Sequence, residues 1–101
     1  MNNPDQTYYI PASGILFTED ENELVLFDPE RGLADGVYVL NDIGARIWQL
    51  INKCGYKAHI AEQLLKEYEV DALIVNTALD ELIRQLVDNG FLIAIPREVA
   101  R

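Results

Sequence analysis

At 101 residues the chain has room for one hydrophobic core and one domain. Half of its residues are hydrophobic and a quarter are charged, an ordinary globular composition, and no apolar run approaches the roughly 20 residues that span a bilayer. The formal net charge of −9 argues against a nucleic-acid-binding protein, because phosphate backbones are held by clusters of Lys and Arg.

The charge is unevenly spread. Residues 1–41 hold Asp5, Glu19, Asp20, Glu21, Glu23, Asp28, Glu30 and Asp35 against Arg31 alone, a net −7. A basic or neutral peptide partner meets no penalty at such a surface. Met1 to Ile10 lacks the basic and apolar segments of a secretory signal, so a cytoplasmic location is expected. One cysteine, Cys54, cannot form an internal disulfide, and with one histidine, His59, it supplies too few ligands for zinc. His59 and Glu62 stand at i, i+3 without a third ligand, and Gly32 and Gly36 lack the Lys-Ser/Thr of a phosphate loop. No Ser-His-Asp or Cys-His motif is evident. No metal, no cofactor and no catalysis by this chain alone are therefore expected.

In chain order, residues 1–12 read as a loose lead-in bracketed by Pro4 and Pro11, with Tyr8 and Tyr9 packing simply or making a subunit contact. Ile15 to Thr18 and Leu24 to Phe27 are short apolar runs joined by the polar turn at Glu19-Asp20-Glu21-Asn22, the pattern of a hairpin. Asp28-Pro29 stops the second run, Gly32 and Gly36 frame a connection, and Val37-Tyr38-Val39-Leu40 supplies a third strand.

Asn41 is placed to cap a helix with the apolar face Ile43, Ile47, Leu50 and Ile51, extended by the core residue Trp48. After a turn at Gly55, Ile60, Leu64 and Tyr68 form the stripe of a second helix, flanked by Ala61 and Leu65. Asp71 can cap a third, with Val75, Leu79, Leu82 and Leu86 as its core face and Gly90 as its left-handed stop. Phe91 to Ile95, ahead of Pro96, is a short terminal strand or extended tail. The pattern predicts an α+β fold, a three-stranded antiparallel sheet followed by three helices, arranged like a winged helix-turn-helix. The expected boundaries are a lead-in at 1–12, one domain at 13–95 and a tail at 96–101.

The segment Leu40-Asn41-Asp42-Ile43-Gly44-Ala45-Arg46-Ile47-Trp48-Gln49-Leu50-Ile51 closely resembles the LN-x-x-(G/A)-A-x-I-W-x-L-(L/I) signature of PqqD-like proteins. Ile60 to Asp71, with Glu67-Tyr68-Glu69-Val70-Asp71, is similar to their second helix and its exit. Leu79 to Leu92 is similar to their third helix and its end. Leu24-Val25-Leu26-Phe27-Asp28 matches the stretch that precedes Y-x-LN. The connection Pro29 to Gly36 is longer than the usual link, and Lys57 stands where Ser or Thr often caps the second helix.

The resemblance implies a recognition element that binds the leader segment of a ribosomally made precursor peptide. The leader adds as a strand to the edge of the third strand, lies against the third helix, and is presented to a separate modifying enzyme. That enzyme is a radical-SAM enzyme in cofactor PQQ synthesis, or a leader protease and cyclase in lasso-peptide synthesis. The Gly-Ala-x-Ile-Trp form is similar to the stand-alone recognition proteins of lasso pathways.

Applied to this chain, the expected peptide site is Val37, Tyr38, Val39 and Leu40 on the strand, with Asn76, Asp80, Ile83, Arg84 and Val87 on the third helix. Alternation puts Val37 and Val39 on one face and Tyr38 and Leu40 on the other, and either pair could line a pocket. Ile83 and Val87 widen the apolar face beyond a simple core stripe, which suits either a groove wall or packing on the sheet. Asp80 and Arg84, at i, i+4, either pair on the surface or set the register of a polar ligand residue. The free edge could equally admit a second copy, giving a homodimer. Two other readings are an adaptor subunit docking through its acidic sheet onto a basic enzyme, and a winged-helix DNA-binding regulator. The latter would insert a third helix of net −3 over residues 71–90 into a major groove, against its field.

Overall fold

The computed structural model describes residues 7–21 and 23–96. The elements run β1 (Tyr8–Pro11), β2 (Leu16–Glu19), β3 (Glu23–Phe27), α1 (Gly32–Asp35), β4 (Val37–Asn41), α2 (Asp42–Lys53), α3 (Lys57–Glu67), α4 (Ala72–Asp88) and β5 (Leu92–Ile95). This is an α+β arrangement with two antiparallel sheets, ordered β2-β3-β4 and β1-β5.

Alternation sets the layers of the larger sheet. Leu24 and Leu26 of β3 and Leu40 of β4 point inward and are buried, together with Ile47, Trp48, Leu50 and Ile51 of α2. Ile60 and Leu64 of α3 and Val75, Leu79, Ile83 and Leu86 of α4 complete the core, closed by Phe91 and Leu92. The opposite face of the sheet is not sealed: Leu16, Val37 and Val39 are all exposed.

The three expected strands are present, and the architecture adds two elements to them. The first is β1: residues 8–11 are not loose but pair antiparallel with β5, Tyr8 opposite Ile95 and Pro11 opposite Leu92. The stretch has no hydrophobic alternation of its own, and its strand geometry comes from a partner over eighty positions away in sequence. Tyr9 N–H donates to the Gly55 carbonyl at 2.8 Å. A Cβ on Gly55 would stand 2.0 Å from the Tyr9 carbonyl oxygen, so the close approach requires glycine. Residues 1–6 of the expected lead-in and 97–101 of the expected tail lie outside the described residues.

The second addition is α1, a single helical turn within the long connection. Asp28 organises it: its carboxylate accepts from Glu30 N–H at 3.0 Å and from Arg31 Nε at 3.1 Å. The Arg31 guanidinium also lies 5.0 Å over the Phe91 ring, tying this connection to the end of α4.

The helix ends follow the sequence unequally. Asp71 caps α4, accepting from Leu73 N–H at 3.0 Å. Gly90, at φ +83°, stops it, with Phe91 N–H donating to Leu86 and Gly90 N–H to Val87, a Schellman motif. Asn41 occupies the cap position of α2 in extended conformation, but its side chain makes no capping bond. Within α4 the core stripe is shifted from the expected one: Ile83 is buried, while Leu82 is only partly so.

Candidate functional site

The exposed edge of the larger sheet is the first component. β3 lies in the middle and β4 at the side, so among the described residues no strand pairs with the outer edge of β4. The direction of its main-chain groups follows from the ladder. The register Phe27 opposite Val37 continues to Asp28 opposite Gly36, and Asp28 N–H donates to the Gly36 carbonyl at 2.8 Å. Antiparallel pairs alternate between bonded and non-bonded. Tyr38 and Leu40 therefore bond toward β3, whereas the N–H and C=O of Val37, Val39 and Asn41 point away from it. The hairpin on the other side agrees: Asp20 N–H bonds Glu23 C=O at 2.8 Å, which by the same alternation turns Val25 toward β2 and away from Val39.

The side chains of β4 face two ways. Val37 and Val39 lie on the uncovered face of the sheet, while Leu40 is buried and Tyr38 half-buried on the helix side. The Tyr38 hydroxyl donates to Gln85 Oε1 on α4 at 2.6 Å, and its ring meets Phe91 edge-on at 5.7 Å between centroids. Further along, Gly44 in the first turn of α2 lies close over Leu40: a Cβ there would stand 3.4 Å from that side chain and 3.7 Å from Leu82. Strand β4, the start of α2 and the Leu82–Gln85 flank of α4 thus form one corner.

Stepping back along the same flank by three and four residues leads from Gln85 to Leu82, Ala78 and Ile74. Ile74 and Ala78 line a small hollow of about 40 Å³ with Ile43, Ile47, Leu64, Tyr68, Val70 and Val75. Ile43, Val70 and Ile74 are exposed at its mouth. The corner beside β4 is thus marked by the Tyr38–Gln85 bond, and the apolar hollow between α2, α3 and α4 lies further back along the same flank of α4.

The expected α4 residues are elsewhere. Ile83 and Gln85, two positions apart, are separated by about 200° on the helix. Asp80, Ile83, Arg84 and Val87 line a different cleft of about 290 Å³ with Tyr9, Lys57, Asp88 and Ala94. Asp80 bonds Lys57 Nζ at 2.5 Å rather than Arg84. Asn76 turns its amide back to the Ala72 carbonyl at 3.0 Å. The sequence-predicted set is thus divided: Val37, Tyr38, Val39 and Leu40 stay on the edge strand, and the five helix residues fall on the flank of α4 turned away from it. The residues on the other flank, Ala78, Leu82 and Gln85, were not singled out for the peptide site from the sequence. Their i, i+4, i+7 spacing was visible, but which flank of α4 meets β4 depends on how the helix is laid across the sheet.

Two polar clusters lie apart from this corner. Arg46 of α2 forms a bidentate bridge to Glu67 of α3, with Nε at 2.8 Å from Oε1. That bond, with a second from Gln63, lowers the Glu67 carboxyl to about 2. Cys54 Sγ lies 3.3 Å from His59 Nδ1. Among the described residues no three His, Cys, Asp or Glu side chains converge as a metal site, and no helix is long and apolar enough to cross a membrane.

The chain is similar to a lasso peptide synthetase B1 solved in complex with its leader peptide, at 27% identity over 88% of this chain and 99% of that one, with a TM-score of 0.74. It shares the fold of TbiB1, solved in complex with the TbiA(beta) leader peptide, at 24% identity over 81% of this chain and 92% of that one, with a TM-score of 0.73. No curated protein sequence matches the chain. The family described as coenzyme PQQ synthesis protein D (PqqD) matches residues 23–92, from the first residue of β3 to the first of β5, and the chain belongs to that family.

Proposed function

We propose that the chain binds the leader segment of a ribosomally made precursor peptide by strand addition to β4 and presents it to a separate modifying enzyme. The observation that carries this reading is the outer edge of β4, unpaired among the described residues, with the main chain of Val37, Val39 and Asn41 directed outward. Strand addition draws its affinity from such main-chain groups and its selectivity from pockets for alternate side chains. The likeness to a lasso peptide synthetase B1 complexed with a leader peptide supports the same reading.

In this reading Val37, Tyr38, Val39 and Leu40 form the strand side of the site, joined on α4 by Ala78, Leu82 and Gln85. Asn76, Asp80, Ile83, Arg84 and Val87, the helix residues expected from the sequence, lie on the other flank of α4, where Asp80, Ile83, Arg84 and Val87 line a cleft with Tyr9 and Lys57. The larger sheet with α2, α3 and α4 acts as a winged helix whose wing edge is put to peptide binding. The protein is non-catalytic and cytoplasmic, and needs no cofactor.

Calorimetric titration with synthetic leaders, taken from short open reading frames beside the gene, tests the proposal. Saturable one-to-one binding that is lost when the leader is scrambled is expected. Absence of binding by the folded protein to every such leader contradicts it.

A further inference from the structure

The uncovered face of the larger sheet carries a second surface. The registers align Leu16 with Phe27 and Phe27 with Val37, then Thr18 with Val25 and Val25 with Val39. All six side chains point away from the core, since their strand neighbours Leu24, Leu26 and Leu40 point into it. Five of the six are apolar. Leu16 is 56% exposed and Val39 52%, and in the β3–β4 connection Leu33 of α1 is 81% exposed. An outward face is expected to be polar where a sheet has one wet side. Contiguous exposed apolar surface of this kind marks an interaction site.

Both ends of this apolar strip are acidic. Asp20, Glu21 and Glu23 lie at the β2–β3 turn, and Glu30 and Asp35 lie in the β3–β4 connection beside Leu33. Of these only the Asp20 side chain has a hydrogen bond among the described residues, accepting from the adjacent Glu21 N–H at 2.8 Å. An apolar centre between two acidic rims selects an occupant with an apolar centre between basic residues. A second copy of this chain would bring acid against acid at −9 each, and anionic lipid or nucleic acid would be repelled in the same way.

We infer that this face docks a protein with a Lys/Arg-rimmed apolar patch, and that the protein is the separate enzyme that modifies the peptide. The enzyme's identity rests on the proposed function; the surface does not. The two sites use different sides of one sheet: the leader takes the edge of β4 beside the Tyr38–Gln85 corner, and the enzyme takes the outer face. A leader strand added to β4 would widen that face by one strand, placing the leader's own alternate side chains next to Val37 and Val39 and within reach of the docked enzyme.

The test is titration of the full chain, without leader, with the purified peptide-modifying enzyme encoded beside its gene. Leu16→Lys is expected to weaken this binding by about tenfold or more, and Leu33→Ser by about threefold, because truncating buried apolar anchors dominates interface loss. Glu23→Lys and Glu30→Lys should each weaken it and flatten its salt dependence. All four residues lie outside the leader site, so leader affinity, measured separately, should remain within about twofold while main-chain pairing on β4 is untouched. Failure of the wild-type chain to bind the enzyme overturns the inference, as does equal binding by all four variants. Wild-type dimerisation in ultracentrifugation that Leu16→Lys abolishes would overturn it in favour of a second copy. Enzyme binding that persists while no leader binds would leave this surface intact and overturn the leader reading alone.

Discussion

The two flanks of α4 both carry apolar and polar residues and differ in what lies against them. On one flank Asp80, Ile83, Arg84 and Val87 face the β1-β5 sheet and the start of α3. That side is strapped down: Lys57 bridges Asp80, and Tyr9 is bonded to Gly55. On the other flank Leu82 and Gln85 meet the corner of β4 and α2, where among the described residues the strand edge is open and Tyr38–Gln85 is the one side-chain hydrogen bond between β4 and α4. Apolar residues at helical spacing do not identify a binding wall; the presence or absence of a covering element does.

Substitutions on the two flanks should separate accordingly. The largest effect is expected at Ile83, which is only 4% exposed. Ile83→Glu places a carboxylate in the core and should cost more than about 3 kcal/mol, seen as loss of cooperative thermal unfolding rather than as a clean binding defect. A folded Ile83→Glu variant that only loses leader would return Ile83 to the groove.

Next is Gly55→Ala. The added Cβ meets the Tyr9 carbonyl, so β1 must shift, at a cost of about 1–3 kcal/mol in denaturant unfolding. Leader affinity should change by no more than about twofold, since the open flank is untouched. Val39→Pro acts on the open flank. It removes an outward N–H without taking a bond from the β3 ladder, and edge strands tolerate proline. Affinity for leader should fall by about tenfold, or about 1.4 kcal/mol, with the melting temperature little changed. Equal affinity would mean that the main chain of β4 is not the pairing edge.

Glu67→Gln lies on neither flank and serves as the smallest effect. Its carboxyl, held near 2 by Arg46 and Gln63, contributes stability above its ordinary value near 4.5 and loses it as pH falls toward 2. The substitution should cost less than about 1 kcal/mol at neutral pH, because the pair is partly exposed, and should flatten the acid limb of the stability curve.

Much of this could be read from the sequence, and the failures have physical causes. The hairpin, the third strand, the Asp71 cap and the Gly90 stop each rest on local chemistry, and each was legible. Residues 8–11 were not, because their strand is imposed by β5 and by the glycine at 55. The α1 turn was hidden because it is held by one aspartate side chain rather than by a hydrophobic period. The edge strand β4 was legible from alternation and from the family pattern. Which flank of α4 meets β4 was not, because residues 78, 82 and 85 and residues 80, 83 and 87 are equivalent on a helical wheel until the sheet is placed. The exposed outer face escaped notice because Leu16, Val25 and Val39 look like ordinary strand residues until no layer is found above them.

The most direct measurement is residue-resolved amide hydrogen exchange on the free chain and on the chain saturated with leader. Strand addition predicts that the Val37 and Val39 amides, directed outward in the free chain, become strongly protected, while those of Tyr38 and Leu40, already bonded to β3, change little. A leader that saturates the chain and leaves Val37 and Val39 exchanging at their free rates would contradict the account.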